Sequence, residues 1–445
     1  PSTKRIVDDT RIRIHAETTI QELVQKKAKV VVIAHQGRPG DPDFTSMKEH
    51  AEILSKILRT TVNYVDDVVG DKAINSIKSI KNGEVLVLEN VRTLPYEMKS
   101  GKPEEHARTE LVTRLAPLFD CFVNDAFSAS HRAHASIVGF TAVLPSYAGR
   151  VMERELTALA RVSSSPEKPC VYVLGGAKAD DSLAITRHVL DKNIAEYVLT
   201  GGLVGQLFLH AAGYDLGMVN TKFIKEQKLE HLERDIRDVL SKYPERIKLP
   251  LDLAVDKDGG RVEIPINDLP TEYQIMDIGE KTIEEYCKIL SSAKSIFISG
   301  PLGVFEKEQF TKGTRQILST AAREDKFTVA GGGHTVAAIE KFGLKDRLSY
   351  VSTAGGALIE YLMGRELPGV EALKEAAYPE IETILLLIII VSGILSVEVR
   401  SLVKAVMCLF IFTLSLGLLF IVLGAFQVGL FQILAYSGGI GALFI

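Results

Sequence analysis

Residues 171–178 read Val171-Tyr172-Val173-Leu174-Gly175-Gly176-Ala177-Lys178. Four apolar residues without polar alternation suit a strand buried on both faces, and the paired glycines end it in a turn before a helical pattern begins. The same order recurs along the chain. Val30–Ala34 runs into His35-Gln36-Gly37, Val85–Leu88 into Glu89-Asn90, and Cys121–Asn124 into Asp125. Tyr197–Thr200 runs into Gly201-Gly202, Ser295–Ile298 leads to Gly300, and Phe327–Val329 leads to Gly331. Strand, turn and helix repeated in this way read as βαβ units, and so predict a doubly wound α/β protein.

A long helical pattern around Val151–Ala160, followed by the polar stretch Ser163–Lys168, divides these units into two groups of similar size. The expected organisation is an N-terminal domain over 1–155 and a second domain over 156–350. A return segment, 351–377, goes back to the first domain, and an apolar segment occupies 378–445. The fold class is thus two doubly wound parallel-sheet domains joined by a hinge helix, followed by an all-α transmembrane tail.

The 445 residues are 24% charged and 46% hydrophobic, with a formal net charge of −4. That balance gives no field to attract nucleic acid, so any anion must meet a local cluster of cations. The four cysteines, Cys121, Cys170, Cys287 and Cys408, have no metal-binding spacing and fit a reducing, cytoplasmic setting without structural zinc. The chain opens on Pro1, without an initiator Met or a signal-like pattern, and reads as cut short. Charges of both signs are interspersed up to about Ala377, whereas from Ile384 to Ile445 only Glu398, Arg400 and Lys404 carry charge.

In open α/β sheets ligands sit beyond the carboxyl ends of the strands. In the N-terminal group those positions hold His35 and Arg38, then Arg92, then His131 and Arg132, with Arg11 nearby in sequence. Guanidiniums gathered on one edge suit a small, multiply charged anion, since each can grip phosphate or carboxylate with two parallel hydrogen bonds. Any one of them alone would read as a solvated loop residue or a partner of Glu89; the repetition at successive strand ends argues otherwise.

The second group is rich in glycine at the same places: Gly175-Gly176-Ala177-Lys178, Gly201-Gly202, Gly300-Pro301-Leu302-Gly303-Val304-Phe305-Glu306, and Gly331-Gly332-Gly333-His334-Thr335. Glycine turns ahead of helix N-termini let backbone N–H groups approach a polyphosphate. Neither a P-loop nor an ordered dinucleotide fingerprint is present.

The motifs GRP (37–39), ENVR (89–92), NDAFSASHRAH (124–134), GGAK (175–178), SGPLGVFE (299–306), GGGHT (331–335) and VSTAGGA (351–357), in this order, resemble those of phosphoglycerate kinase of the archaeal type. The resemblance runs from Val7 to about Leu373 and implies two Rossmann-like domains that close over their substrates. It further implies 3-phosphoglycerate or 1,3-bisphosphoglycerate on the cationic domain and ATP or ADP with Mg2+ on the other. Carried over, Arg11, His35, Arg38, Arg92, His131 and Arg132 hold the phosphoglycerate. Gly175, Lys178, Gly201, Gly202, Glu306, Gly332, Gly333, His334 and Thr335 form the nucleotide site, with Glu306 at the ribose. Arg11, Lys178 and Gly355 face the transferred phosphoryl group, Gly355 at a helix N-terminus. No general base is needed, because the acceptor is a carboxylate already ionised at neutral pH. The family's first strand, with its Arg-Val-Asp-x-Asn motif, would precede Pro1. Ser182 stands where many members have Lys, and His334 where many have an Asp implicated in metal binding, which leaves the metal ligands open.

Beyond Leu373, Ile384–Val397, Ala405–Gly424 and Val428–Ile445 are apolar, and the middle stretch is long enough to cross a bilayer. Gly424–Ile445 resembles the third helix of subunit J of NADH-quinone oxidoreductase. The expectation is two to three membrane helices that do not belong to the kinase, joined to it by a stitched reading frame; the alternative is a J-like membrane subunit of a proton-translocating NADH-quinone or related oxidoreductase, or a fusion of the two. Arg400 and Lys404 would place the intervening loop on the cytoplasmic side, which conflicts with an ATP-dependent enzyme on the other end of the first span.

Overall fold

The structure, a computed structural model, describes residues 5–376, 379–422 and 425–437. The N-terminal half contains β1 (Val30–Val32), β2 (Val62–Tyr64), β3 (Val85–Val87), β4 (Phe122–Asn124) and β5 (Ser146–Ala148). They form two parallel sheets, one ordered β1-β3-β2 and the other pairing β4 with β5. A single doubly wound sheet was the expectation for this half; the described residues carry it in two pieces, each with its own parallel pairing.

The second half supplies β6 (Cys170–Leu174), β7 (Tyr197–Thr200) and β8 (Ile247–Lys248), then β9 (Asp252–Lys257), β10 (Gly260–Pro265) and β11 (Gln274–Ile278). It ends with β12 (Ser295–Ser299), β13 (Phe327–Gly331) and β14 (Tyr350–Ser352). Six of these strands form one parallel sheet ordered β14-β13-β12-β6-β7-β8. Period-two alternation sends its side chains to opposite faces. Val171, Val173, Leu199, Ile296, Ile298 and Ala330 pack on one side, and Cys170, Tyr172, Leu174, Val198, Phe297 and Val329 on the other. Both faces are buried under helices, which explains the unbroken apolar runs. Each fully buried large side chain contributes about 1.5–3 kcal/mol.

The sequence gives no hint of the antiparallel sheet β10-β9-β11, which interrupts the βαβ order between β8 and β12. It is a correction to a purely doubly wound second domain. β9 buries Leu253-Ala254-Val255 but is bracketed by Asp252 and Asp256, and β10 is exposed or half-buried along its length, so neither shows the strand, turn and helix order that marks the others.

The helix Arg150–Ser163 covers the predicted 151–160 stretch and links the two halves. Its buried residues Met152, Ala158, Leu159 and Val162 join the core of the six-stranded sheet together with Phe127. Its N-terminus is held by Asp125, whose Oδ1 accepts from the backbone N–H of Val151 at 2.9 Å and Met152 at 3.2 Å. A carboxylate there meets both the orphan donors and the positive end of the helix dipole.

In the tail, the helix Leu402–Val422 has a mean hydropathy of 2.7 and is, among the described residues, the one long and apolar enough to cross a membrane. Thr383–Glu398 and Phe426–Tyr436 are shorter apolar stretches, and residues 438–445 of the expected third span lie outside the described residues. Small residues line the seams between these helices: Gly393 lies against Phe412, and Gly417 against Gly429 and Ile433.

Candidate functional site

At the N-terminal strand ends the cations converge. His35 is half-buried and held down to about 3, first by burial and then by the nearby charges of Arg92, Arg132, His134 and Arg11. His134, buried, is lowered to about 4 by burial and then by Arg132 and Arg92. Arg92 and Arg132 are themselves pulled down, first by burial, with Arg38 adding repulsion to both. Among the described residues no ion pair joins Arg11, Arg38, Arg92 or Arg132 to a carboxylate.

Glu89, the partner that sequence alone would offer, is already engaged. It accepts from Tyr64 Oη at 2.6 Å and from the backbone N–H of Met47 at 2.9 Å. Arg92 is oriented by donating from Nη1 to the Gly37 carbonyl, while its buried Nε has no hydrogen-bond partner within the protein. A cluster of uncompensated guanidiniums and neutral imidazoles stores repulsion that a multiply charged anion relieves. His134 belongs to this cluster although its strand-end neighbours His131 and Arg132 are the ones the sequence singles out.

In the second half, the glycine turns meet one another. The N–H of Gly175 donates to the Ser299 carbonyl at 2.8 Å, Gly176 to Pro301 at 2.7 Å, Gly201 to Leu174 at 3.1 Å and Gly202 to Leu302 at 2.9 Å. These N–H groups are therefore not the free phosphate donors that the sequence suggests. Their glycines serve close approach instead: a Cβ at Gly175 would strike the Pro301 carbonyl and one at Gly202, where φ is +57°, the Gly176 amide. The helix Gly333–Lys341 begins at the next turn, and the first N–H groups of any helix lack intrahelical acceptors. Thr335 is buried, and its Oγ1 accepts from Gly300 N–H at 2.7 Å.

The stitched turns form the floor of a cavity of about 450 Å³. It brings together Gly202, Glu306 and His334 of the predicted nucleotide residues. Gly175, Lys178, Gly201, Gly332, Gly333 and Thr335 do not line it; Lys178 is exposed at the entry to the helix Ala179–Asp191. Residues the sequence did not flag complete the wall: Gln206, Phe223, Pro250 and the strand Gln274–Ile278. Gln206 and Phe223 lie on helices and Pro250 on a connection, where no strand-end motif marks them, and 274–278 belong to the antiparallel sheet.

The last strand connects the two sites. After β14, Thr353 accepts from Arg11 Nη2 at 3.0 Å, and Gly356, which opens the helix Gly356–Leu362, lies beside His131. Gly355, with φ +58°, caps that helix. Ser352 donates to both carboxylate oxygens of Glu155, at 2.9 and 3.1 Å, inside the linking helix. Burial pushes Glu155 up to about 7. His15 meets the other Asp125 oxygen, Oδ2, at 2.7 Å.

The family model for phosphoglycerate kinase matches residues 1–365. The phosphoglycerate kinase of Methanothermobacter thermautotrophicus is 46% identical over 379 residues, covering 85% of this chain and 92% of that protein. That of Methanosarcina mazei is 47% identical over 372 residues, covering 83% and 88%. The crystal structure of phosphoglycerate kinase from Pyrococcus horikoshii superposes with a TM-score of 0.77 at 41% identity, over 84% of this chain and 93% of that one.

Proposed function

The chain belongs to the phosphoglycerate kinase family, and on that premise we infer how its residues transfer a phosphoryl group reversibly between 1,3-bisphosphoglycerate and ADP, giving 3-phosphoglycerate and ATP. The observation that carries the residue-level reading is the set of guanidiniums, Arg11, Arg38, Arg92 and Arg132, none of which is in an ion pair with a carboxylate among the described residues. With His35 and His131 they hold the phosphoglycerate, and His134 joins them.

The nucleotide lies in the 450 Å³ cavity, its ribose near Glu306 and its phosphates toward Lys178 and the amino end of Gly333–Lys341. Lys178, Arg11 and the Gly355 segment then surround the transferred group. No base acts; charge neutralisation, in-line alignment and exclusion of water lower the barrier. Among the described residues no group of three or more His, Cys, Asp or Glu is placed to hold a metal. The metal we propose is Mg2+ that arrives on the nucleotide phosphates and keeps much of its water.

The halves close about the linking helix Arg150–Ser163. Asp125 ties its start to the first domain and Glu155 ties its middle to Ser352, where the return segment begins; the moving parts we propose are domains of 1–155 and 156–350, with the return segment over 351–377. The kinase portion works in the cytoplasm, where its nucleotides are.

For residues 384–445 the partner we propose is a lipid bilayer. Outward-facing Ile384, Leu387, Ile390, Ile394 and Leu402 are exposed while glycines face the seams, the reverse of a water-soluble bundle. The likeness to a respiratory-complex subunit rests on 424–445 alone.

A coupled assay of the purified chain, following ADP release with 3-phosphoglycerate and ATP, tests the kinase reading. Turnover that is lost in Arg92→Ala supports it; turnover unaffected by that change overturns the assignment of the anion site. Flotation of the chain with neutral phosphatidylcholine vesicles tests the tail, and a protein that stays at the bottom of the gradient refutes the bilayer reading.

A further inference from the structure

The cavity has one wall that neither the strand-end motifs nor the proposed mechanism explains. β11 runs along it, and residues 303–306 lie against β11, with the Val304 N–H donating to the Met276 carbonyl at 2.7 Å. Behind this contact sits Asp277, whose side chain is fully buried. Its Oδ1 accepts from the N–H of Ile278 at 2.9 Å, and its Oδ2 from the N–H of Gly313 at 2.9 Å and from Arg261 Nη1 at 2.7 Å. Gly303 and Gly313 both press on this carboxylate; a Cβ at either would collide with Oδ1.

Arg261 is nearly as buried and spends its other donors on the same junction. Nη2 donates to the Ile278 carbonyl at 2.8 Å, and Nε and Nη2 donate to Glu263 Oε1 at 3.1 and 3.0 Å. Glu263 Oε2 in turn accepts from Glu280 N–H at the start of the next helix, at 2.9 Å. One connected network thus fastens β10, β11, the helix Glu280–Ser292 and the helix Lys312–Ala321 to the back of the cavity wall. Burial pushes Asp277 up, to about 6, even with Arg261 and the N–H groups of Gly313 and Ile278 pulling it down.

A buried ion pair of this kind is a poor source of net stability, because desolvation offsets most of the Coulombic gain. It is a good source of position, since the planar guanidinium fork admits one arrangement of its partners. We propose that Arg261 and Asp277 are positioning residues for the nucleotide: they hold Gly303, Val304 and Glu306 at the spacing the bound nucleotide requires. The proposal rests on reading this cavity as the nucleotide site. Neither side chain touches the phosphoglycerate cluster, so the effect is confined to one substrate.

The experiment compares four variants of the full chain by steady-state kinetics against both substrates, with thermal melts alongside. Asp277→Asn and Arg261→Met each raise KM for ATP by about tenfold, the scale on which a mispositioned wall costs binding, while KM for 3-phosphoglycerate and kcat stay within about twofold. The double variant Arg261→Met/Asp277→Asn removes the uncompensated buried charge and recovers much of the melting temperature lost in Arg261→Met, yet its KM for ATP stays raised. A KM that recovers together with the melting temperature assigns the pair to stability alone and overturns the proposal. Ala177→Trp, placed in the cavity wall, is the fourth variant. If it abolishes ADP binding by calorimetry while the network variants bind normally, positioning falls and the cavity reading stands. If Ala177→Trp binds ADP as the unaltered chain does, both fall.

Discussion

Arg92 and Gly202 each follow a parallel strand and each shape a substrate site, but they do so by opposite means. Arg92 acts through its side chain: a buried charge with no ion-pair partner among the described residues and an Nε that meets no acceptor within the protein, whose position the backbone merely supplies. Gly202 acts through having none, because any Cβ there would meet the Gly176 amide and the Pro301 carbonyl. The first region stores electrostatic repulsion that an anion relieves; the second stores close backbone packing that any side chain destroys. Substitution should therefore damage binding in one region and folding in the other.

The largest effect falls on the first region. Arg92→Ala should lower kcat/KM for 3-phosphoglycerate by about 10²–10³ and leave the melting temperature and KM for ATP near their starting values. An equal loss toward both substrates would erase the contrast. Next, Gly202→Ala should cost about 2–4 kcal/mol of stability, read as a lower urea midpoint. Gly343→Ala also has a positive φ, +64°, but open space around it, and should cost only about 1 kcal/mol. Similar losses at the two positions would mean that backbone strain, and not contact between turns, governs the second region.

The histidines sharpen the comparison through pH. His35 and His134 are depressed to about 3 and about 4 in the free protein, and an anion on the cluster raises both. Binding then takes up protons, so affinity for sulfate, whose own charge is constant over this range, rises as pH falls toward the values of the free histidines. Calorimetry in two buffers of different ionisation enthalpy measures the uptake directly; heats independent of the buffer at pH 5.5 would contradict it.

The smallest effect lies where the regions join. Glu155 keeps its proton in the folded chain to about 7, against an ordinary 4.5. The folded state thus holds more protons than the unfolded state across that window, and this group's contribution to stability declines as pH rises from about 4.5 through 7. Gln cannot ionise, so Glu155→Gln should shrink the drop in melting temperature between pH 6 and pH 8 by about 2–4 °C. An unchanged drop would show that Glu155 ionises freely in the folded protein.

Much of the fold is readable residue by residue. The apolar runs at β1, β3, β4, β6, β7, β12 and β13 lie within a residue or two of their predicted positions, since strands buried on both faces need continuous apolar sequence. β2, with Asn63 at its centre, and β10 escape notice because a strand exposed on one face carries little local signal; β9 and β11 are buried, but Asp252, Asp256 and Asp277 break up their apolar runs. The tail helices were visible for the same reason as the buried strands: their composition excludes water.

The sequence alone determined which chemistry could occur where. Arginine and histidine after the N-terminal strands, glycine after the later ones, and their order along the chain were sufficient to point to the phosphoglycerate kinase family. Only the tertiary structure decided which groups are free to act. It engages Glu89 with Tyr64 and leaves Arg92 Nε without an acceptor within the protein. It ties the N–H groups of Gly175, Gly176, Gly201 and Gly202 to neighbouring carbonyls, and it brings β11 with Asp277 and Arg261 against the cavity from a sheet that the sequence does not announce. The physical reason is that hydrogen bonds and ion pairs are made between residues far apart in the chain, whereas a residue's local pattern records only its type and which face it buries.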